Sequence, residues 1–222
     1  MELDLSGINV KISDDMNSWE EVNLLYNAAL KQMQTKIEIL NEEFQEVHRY
    51  NPIEHVKSRV KSPESIVKKL KRNGYESTIE NMVRYINDIA GIRIICSFTS
   101  DIYRIAEMIS NQKDIQVMII KDYIMNPKPS GYRSYHMIVS LPVYLSDRIV
   151  NVKVEIQIRT VAMDFWASLE HKINYKFEGN APDRISLELI ECSDMVSQLD
   201  AKMLELNNEI QAISEQMNLD KK

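Results

Sequence analysis

A chain of 222 residues has room for one medium domain with appendages, and its 44% hydrophobic and 27% charged residues suit a soluble globular protein. Five glycines and six prolines argue against disorder and against a turn-rich all-β fold, and a net charge of −6 argues against a general nucleic-acid binder. No run approaches the ~18 apolar residues of a membrane helix, and MELDLSGINV lacks the basic-then-apolar order of a signal peptide.

Residues 1–16 read as a loose arm. Residues 17–50 read as a long helix, with Ser18 and Glu21 placed for a capping box. Its apolar stripe is Val22, Tyr26, Ala29, Met33, Ile37, Leu40, Phe44 and Val47, and Pro52 is expected to end it. HVKSRVKSPES predicts a short strand and then a helix, with Ser62 as cap and Pro63 at the first helical position. Lys57, Arg59 and Lys61 share one face of that strand. Ile66 and Leu70 share a core face of the helix, Ser65, Lys69 and Arg72 share another, and Asn73-Gly74 supplies the stop.

A helix over about 78–88 leads to a buried strand, GIRIICSF. A helix capped at Ser100 or Asp101 follows, then strands IQVMIIKDY, YRSYHMIVSLPVY and VNVKVEIQIRT, and a helix carrying Phe165, Trp166 and Leu169. The middle is therefore α/β, a sheet with helical flanks. From Ile185 through Leu189, Cys192, Val196, Leu199, Met203, Leu206, Ile210 and Ile213 to Met217, apolar residues recur at spacings of four and three. Such a heptad seam packs either on the N-terminal helix of the same chain or on a second copy. Cys96 and Cys192 fit no metal spacing and sit in apolar surroundings, so both are expected as reduced core thiols in a cytoplasmic protein.

The chemistry starts with charge distribution. From Lys57 to Arg72 this acidic chain carries seven basic residues and one acid, Glu64, a compact island that suits a small polyanion. On VKVEIQIRT, the alternation buries Val152, Val154, Ile156 and Ile158 and leaves Lys153, Glu155, Gln157 and Arg159 on the other face, either solvated or lining a cleft. Asp88 stands at the rim of the GIRIICSF strand, where a carboxylate either caps a turn or meets a ligand. With Glu155 on a neighbouring strand, the two carboxylates could share Mg²⁺, which completes its shell with phosphate oxygens and water. In NPKPSGYRSYHMIV the prolines and Gly131 forbid a helix. Lys128 belongs to a loop, and Tyr132, Ser134 and His136 project to one side, as a core Tyr with a satisfied His or as a base-stacking platform beside a cation.

Four segments, SRVKSPESI, NDIAGIRI, KPSGYRSYHMIV and VEIQIRTVAMDFWASLEHKINYK, together resemble the RelA/SpoT (p)ppGpp synthetases over roughly residues 50–178. The resemblance is to the single-domain small alarmone synthetases, the RelP-type subgroup more than the RelQ-type. It implies a nucleotidyltransferase-like mixed sheet flanked by helices, with a synthetase domain over 51–178 and an oligomerisation segment over 179–222. It implies Mg²⁺-dependent transfer of pyrophosphate from ATP to the 3′-hydroxyl of GTP or GDP, sometimes GMP. ATP would be bound by Arg59, Lys61, Lys69 and Arg72, with adenine between Arg59 and Arg93. Asp88 and Glu155 would hold the metal, and Glu155 is also the candidate to accept the 3′-hydroxyl proton, although a metal-bound carboxylate is a weak base. Tyr132 would stack on guanine, with Lys121, Lys128, His136 and Gln157 around it. Asp164, where relatives can carry Asn, could bias the choice of acceptor.

The family's assemblies imply a homotetramer, with no membrane and no obligatory nucleic acid. No His-Asp pair occurs, so no hydrolase activity is expected. The competing reading is a nucleotide- or RNA-binding module on the same fold, which would not need both Asp88 and Glu155.

Overall fold

A computed structural model describes residues 18–177 and 182–219. The elements run α1 (Trp19–His48), β1 (Ile53–Val60), α2 (Pro63–Arg72), α3 (Ile79–Tyr85), β2 (Ala90–Cys96), α4 (Thr99–Ser110), β3 (Gln116–Asp122), β4 (Tyr135–Tyr144), β5 (Ile149–Thr160), α5 (Val161–Lys176) and α6 (Asp183–Leu219). The expected loose arm lies outside the described residues. The five strands form one mixed sheet in the order β1-β2-β5-β4-β3. Only the β2–β5 pair is parallel, and α4, β3 and β4 lie between these two strands in sequence.

Helix α1 starts where Ser18 Oγ accepts the Glu21 amide, and it lies across the core face of the sheet. Val22, Tyr26, Ala29, Met33, Ile37, Leu40 and Phe44 are buried there, while Val47, expected on the same stripe, is 69% exposed because it stands in the last turn, beyond the sheet. The helix stops before Pro52, at Arg49 in the left-handed conformation, whose amide returns to Gln45 O. Burying a side chain such as Ile37 contributes roughly 1.5–3 kcal/mol, and Ile37→Ala would cost about 2–5 kcal/mol with the cavity it leaves.

Helix α2 is capped as expected, Ser62 Oγ accepting from Ser65 N, with Ile66 and Leu70 buried. Gly74, at φ +80, lets the chain leave it. Helix α3 ends at Tyr85, three residues short of the expected end, which leaves residues 86–89 to carry Asp88 on a turn. Helix α4 begins at Thr99, earlier than expected, and Asp101 serves it from the first turn by accepting the Phe98 amide.

Helix α6 packs on α5 and α4 rather than along α1. Its near half covers Ile185, Leu189 and Val196 in part, whereas Leu199, Met203, Leu206, Ile210, Ile213 and Met217 are each 40% exposed or more. Both cysteines are free; Cys96 is buried as expected, but Cys192 is exposed, because α6 leaves that side of its first half uncovered. Phe165 and Leu169 of α5 are also exposed, and Trp166 alone of the expected trio is buried, donating to Leu189 O. No helix among the described residues is long and apolar enough to cross a membrane.

Candidate functional site

The sheet has one apolar face under α1 and α4 and one polar face. Register alone aligns the polar face. Lys57 pairs with Arg93, Arg93 with Gln157, Gln157 with His136 and His136 with Lys121, a row that crosses all five strands. The adjacent row places Arg59 opposite Gly91 and Gly91 opposite Glu155. Lateral neighbours in a sheet point the same way, so these side chains share one face. The polar face of β5 is not a solvated one: Lys153 and Arg159 are 7% and 4% exposed, and Glu155 and Gln157 are partly covered.

At the β1 end, Arg59, Val60, Lys61, Ser62, Ser65, Lys68, Lys69 and Arg72 line a cleft of about 550 Å³. Strand β1 and the α2 face opposite Ile66 and Leu70 together make a cationic wall, as the sequence spacing predicts. Two of its lysines turn inward, Lys61 Nζ lying 2.7 Å from Asp88 Oδ2 and Lys69 Nζ 2.8 Å from Asp88 Oδ1. Burial raises the Asp88 pKa, but these hydrogen bonds outweigh it and hold the carboxyl below its usual range. Arg93 senses the charge of Arg59, and burial followed by Arg159 lowers its pKa. The turn carrying Asp88 is pinned from beneath. Lys153 Nζ donates to Arg84 O at 3.0 Å and to Asn87 Oδ1 at 2.9 Å.

At the β4 end, the residues between Asp122 and Tyr135 fold into a closed loop. Tyr132 lies in this loop, ahead of β4, rather than at a strand position, because Lys128 N donates to Tyr132 O and Gly131 N to Lys128 O. The Lys128 ammonium stands 4.7 Å from the Tyr123 ring centroid and 4.9 Å from that of Tyr132. Burial and then Lys121 lower the Lys128 pKa. The Tyr132 hydroxyl and His136 Nε2 are 2.8 Å apart, and burial, then Arg159, Lys128, Lys121 and Arg93, push the imidazole down to about 3. Ser134, expected beside Tyr132 and His136, is fully buried and donates to Ile158 O.

Glu155 sits on the central strand between the two ends, accepting Gln157 Nε2 at 2.8 Å with His136 Nδ1 at 3.7 Å. Arg159 ties the β4 end together. It donates to the Tyr132 hydroxyl at 2.5 Å, Gln157 Oε1 at 3.1 Å and Asp164 Oδ1 at 3.0 Å, with Ser134 Oγ at 3.4 Å. Asp164 is therefore no free negative charge, since Arg93 also donates to its Oδ1 at 3.2 Å. Sequence reasoning placed Arg159 and Lys153 on this face but gave neither a role. The available signal was strict alternation, which put four charged or amide residues beside one another on a strand whose next helix opens with apolar residues.

Among the described residues no cluster of three or more His, Cys, Asp or Glu could hold a metal. Asp88, both of whose oxygens are held by lysines, and Glu155 are the carboxylates that would meet a hard cation here, one whose remaining ligands would come from phosphate and water.

The chain is similar to known proteins over most of its length. A family model described as the region found in RelA / SpoT proteins matches residues 58–180. GTP pyrophosphokinase YwaC of Bacillus subtilis (strain 168) is 50% identical over 195 residues, 88% of this chain and 93% of that protein. The crystal structure of small alarmone synthetase 1 from Bacillus subtilis bound to its product pppGpp matches with a TM-score of 0.80 at 39% identity, covering 87% of this chain and 98% of that one. The same synthetase bound to AMPCPP matches with a TM-score of 0.74 at 36% identity, again over 87% and 98% of the two chains.

Proposed function

This chain belongs to the RelA/SpoT family, and on that premise we propose how its cleft works as a GTP pyrophosphokinase that synthesises the alarmone (p)ppGpp. The observation that carries the reading is the strand order: a cationic wall on β1 and α2, Glu155 on the central strand, and an aromatic, cationic loop at the β4 end. A donor and an acceptor bound at the two ends meet over Glu155.

ATP takes the β1 end. Arg59, Lys61, Lys69 and Arg72 carry its phosphates, and adenine lies between the guanidinium planes of Arg59 and Arg93, which can stack on a base. The guanosine nucleotide takes the other end, its base on the Tyr132 ring and its phosphates and ribose by Lys121, Lys128, His136 and Gln157. Asp164 acts there through Arg93 and Arg159 rather than on the nucleotide. Asp88 and Glu155 would hold Mg²⁺, which supplies charge neutralisation on the transferred pyrophosphate. When phosphates arrive, Lys61 and Lys69 can turn from Asp88 to them without leaving their ammonium groups unpaired. Glu155 accepts the proton of the 3′-hydroxyl as it attacks the β-phosphorus of ATP, and AMP departs. Phosphoryl-type transfer asks a protein mainly for alignment and charge, and this cleft offers both.

The exposed seam from Leu199 to Met217 is the helical interface of a homo-oligomer, a tetramer as in related assemblies. Light scattering of the intact protein checks that state. Its nucleotide substrates and free thiols support a cytoplasmic location.

Incubation with γ-labelled ATP, GDP or GTP, and Mg²⁺ tests the reading. A labelled guanosine 3′-diphosphate product that disappears on chelation is expected; its absence with either acceptor ends the enzyme reading.

A further inference from the structure

Helix α6 does more than present an apolar seam. Its first half is fastened to the Tyr132 loop and to the strand end that follows Arg159. Ser193, 2% exposed, donates its hydroxyl to Gly131 O. Arg133 spans the loop, one guanidinium nitrogen on Ile124 O at 3.2 Å and the other on Asp194 Oδ1 at 3.0 Å. Thr160, next to Arg159, donates to buried Asp200 at 2.7 Å.

The approach between helix and loop is close as well as bonded. Gly131 has φ +88, and a Cβ placed on it would lie 3.0 Å from Ser193 Cβ and 3.3 Å from Ile190 Cα. Glycine at 131 thus serves two ends: it takes a left-handed turn and admits the α6 backbone. Next to it, Tyr132 is the ring that Lys128 and Arg159 both face.

We infer that α6 is a positioning element of the acceptor pocket, acting through Ser193 and Asp194 on the loop that carries Tyr132. The inference rests on Tyr132 being the acceptor's platform. Neither Ser193 nor Asp194 touches the reacting atoms. Their effect is to fix where the loop stands, so the binding of the guanosine nucleotide follows the seating of α6 on the domain, whereas the ATP wall on β1 and α2 does not.

Steady-state kinetics of the full-length Ser193→Ala protein, with ATP and GDP varied separately, test this. Loss of a buried hydrogen bond predicts a rise in KM for GDP of about fivefold to tenfold, with KM for ATP within about twofold and kcat nearly kept. Asp194→Asn, at an exposed position, serves if Ser193→Ala fails to fold, and it predicts a smaller rise of about twofold to threefold. Unchanged KM for GDP, or equal losses for both nucleotides, overturns the inference. Tyr132→Ala, measured in parallel, separates the two ideas. If Tyr132→Ala leaves KM for GDP alone while Ser193→Ala raises it, the platform assignment fails and the positioning role stands through another loop residue. If only Tyr132→Ala raises it, the platform stands and the positioning role falls. If neither does, both fall.

Discussion

The Tyr132 hydroxyl and His136 Nε2 are joined by a 2.8 Å hydrogen bond whose direction is set by the imidazole tautomer. His136 Nδ1 stands 3.7 Å from Glu155 Oε1, and a carboxylate there favours the ring hydrogen on Nδ1, which leaves Nε2 to accept from the tyrosine. The Tyr132 oxygen in turn accepts from Arg159. In this tautomer neutral His136 bridges from the Tyr132 hydroxyl toward the Glu155 carboxylate.

His136 should therefore stay neutral through any practical assay range. Its pKa falls from 6.5 to about 3 on folding, chiefly through burial, so the unfolded chain takes up a proton that the folded one refuses. Stability contributed by this site is whole above 6.5 and is lost as pH falls toward 3. His136 ring resonances should not move between about pH 8 and 5, and His136→Asn should lose less stability than wild type on acidification. A titration midpoint near 6.5 would remove the tautomer argument.

Arg159→Lys tests the hub. A lysine is a point charge and cannot keep the fork that serves Tyr132, Gln157 and Asp164 together. We expect kcat/KM for the guanosine acceptor to drop about tenfold to a hundredfold, with a stability loss of about 2–4 kcal/mol from a poorly paired buried charge. Wild-type kinetics in a stably folded variant would show that the three contacts are dispensable.

Glu155→Gln keeps the shape and the acceptor for Gln157 Nε2 but replaces the other oxygen with a donor and removes the charge. Turnover should fall by about 10²-fold or more, while the thermal midpoint stays close to wild type. Near-normal turnover would take Glu155 out of the chemistry.

The clamp beneath Asp88 has its own signature. Burial lowers the Lys153 pKa from 10.5 to about 8, so the folded protein gives up this proton before the unfolded chain does. Folding is penalised below 8 and the penalty disappears as pH rises toward 10.5. The stability of wild type relative to Lys153→Met should therefore grow across that window in denaturant titrations. At neutral pH the variant should also bind ATP less well, because Asn87 and Arg84 O lose their partner and the Asp88 turn loosens. A flat stability difference across the window would mean that Lys153 keeps an ordinary pKa.

Much of this molecule could be read before any coordinates. Alternation on β5 sorted Val154 and Ile156 from Glu155 and Gln157, and capping chemistry at Ser18 and Ser62 located two helix starts. The basic island resolved into one wall because strand and helix periodicities each select a face, and the cleft lining includes Arg59, Lys61, Lys69 and Arg72 together. What could not be read was long-range. Arg159 gains its role only when residues 132, 134, 157 and 164 converge on it, and Asp164 changes from a free charge to a bridge for the same reason. Heptad spacing could place neither Cys192 nor the distal seam, because it reports an apolar stripe without saying what covers it.

The row from Lys57 to Lys121 runs transverse to the strands, and its length is set by sheet geometry, roughly 19 Å for four gaps of ~4.8 Å. Two nucleotides laid along it are thus measured against strand spacing rather than against loop positions. A one-residue slip of β4 would turn His136 into the core and bring Met137 into the cleft. The residues that forbid such a slip are Met137, Val139, Val154 and Ile156 on the opposite face. In this enzyme the apolar core acts as a ruler for the substrates it never meets.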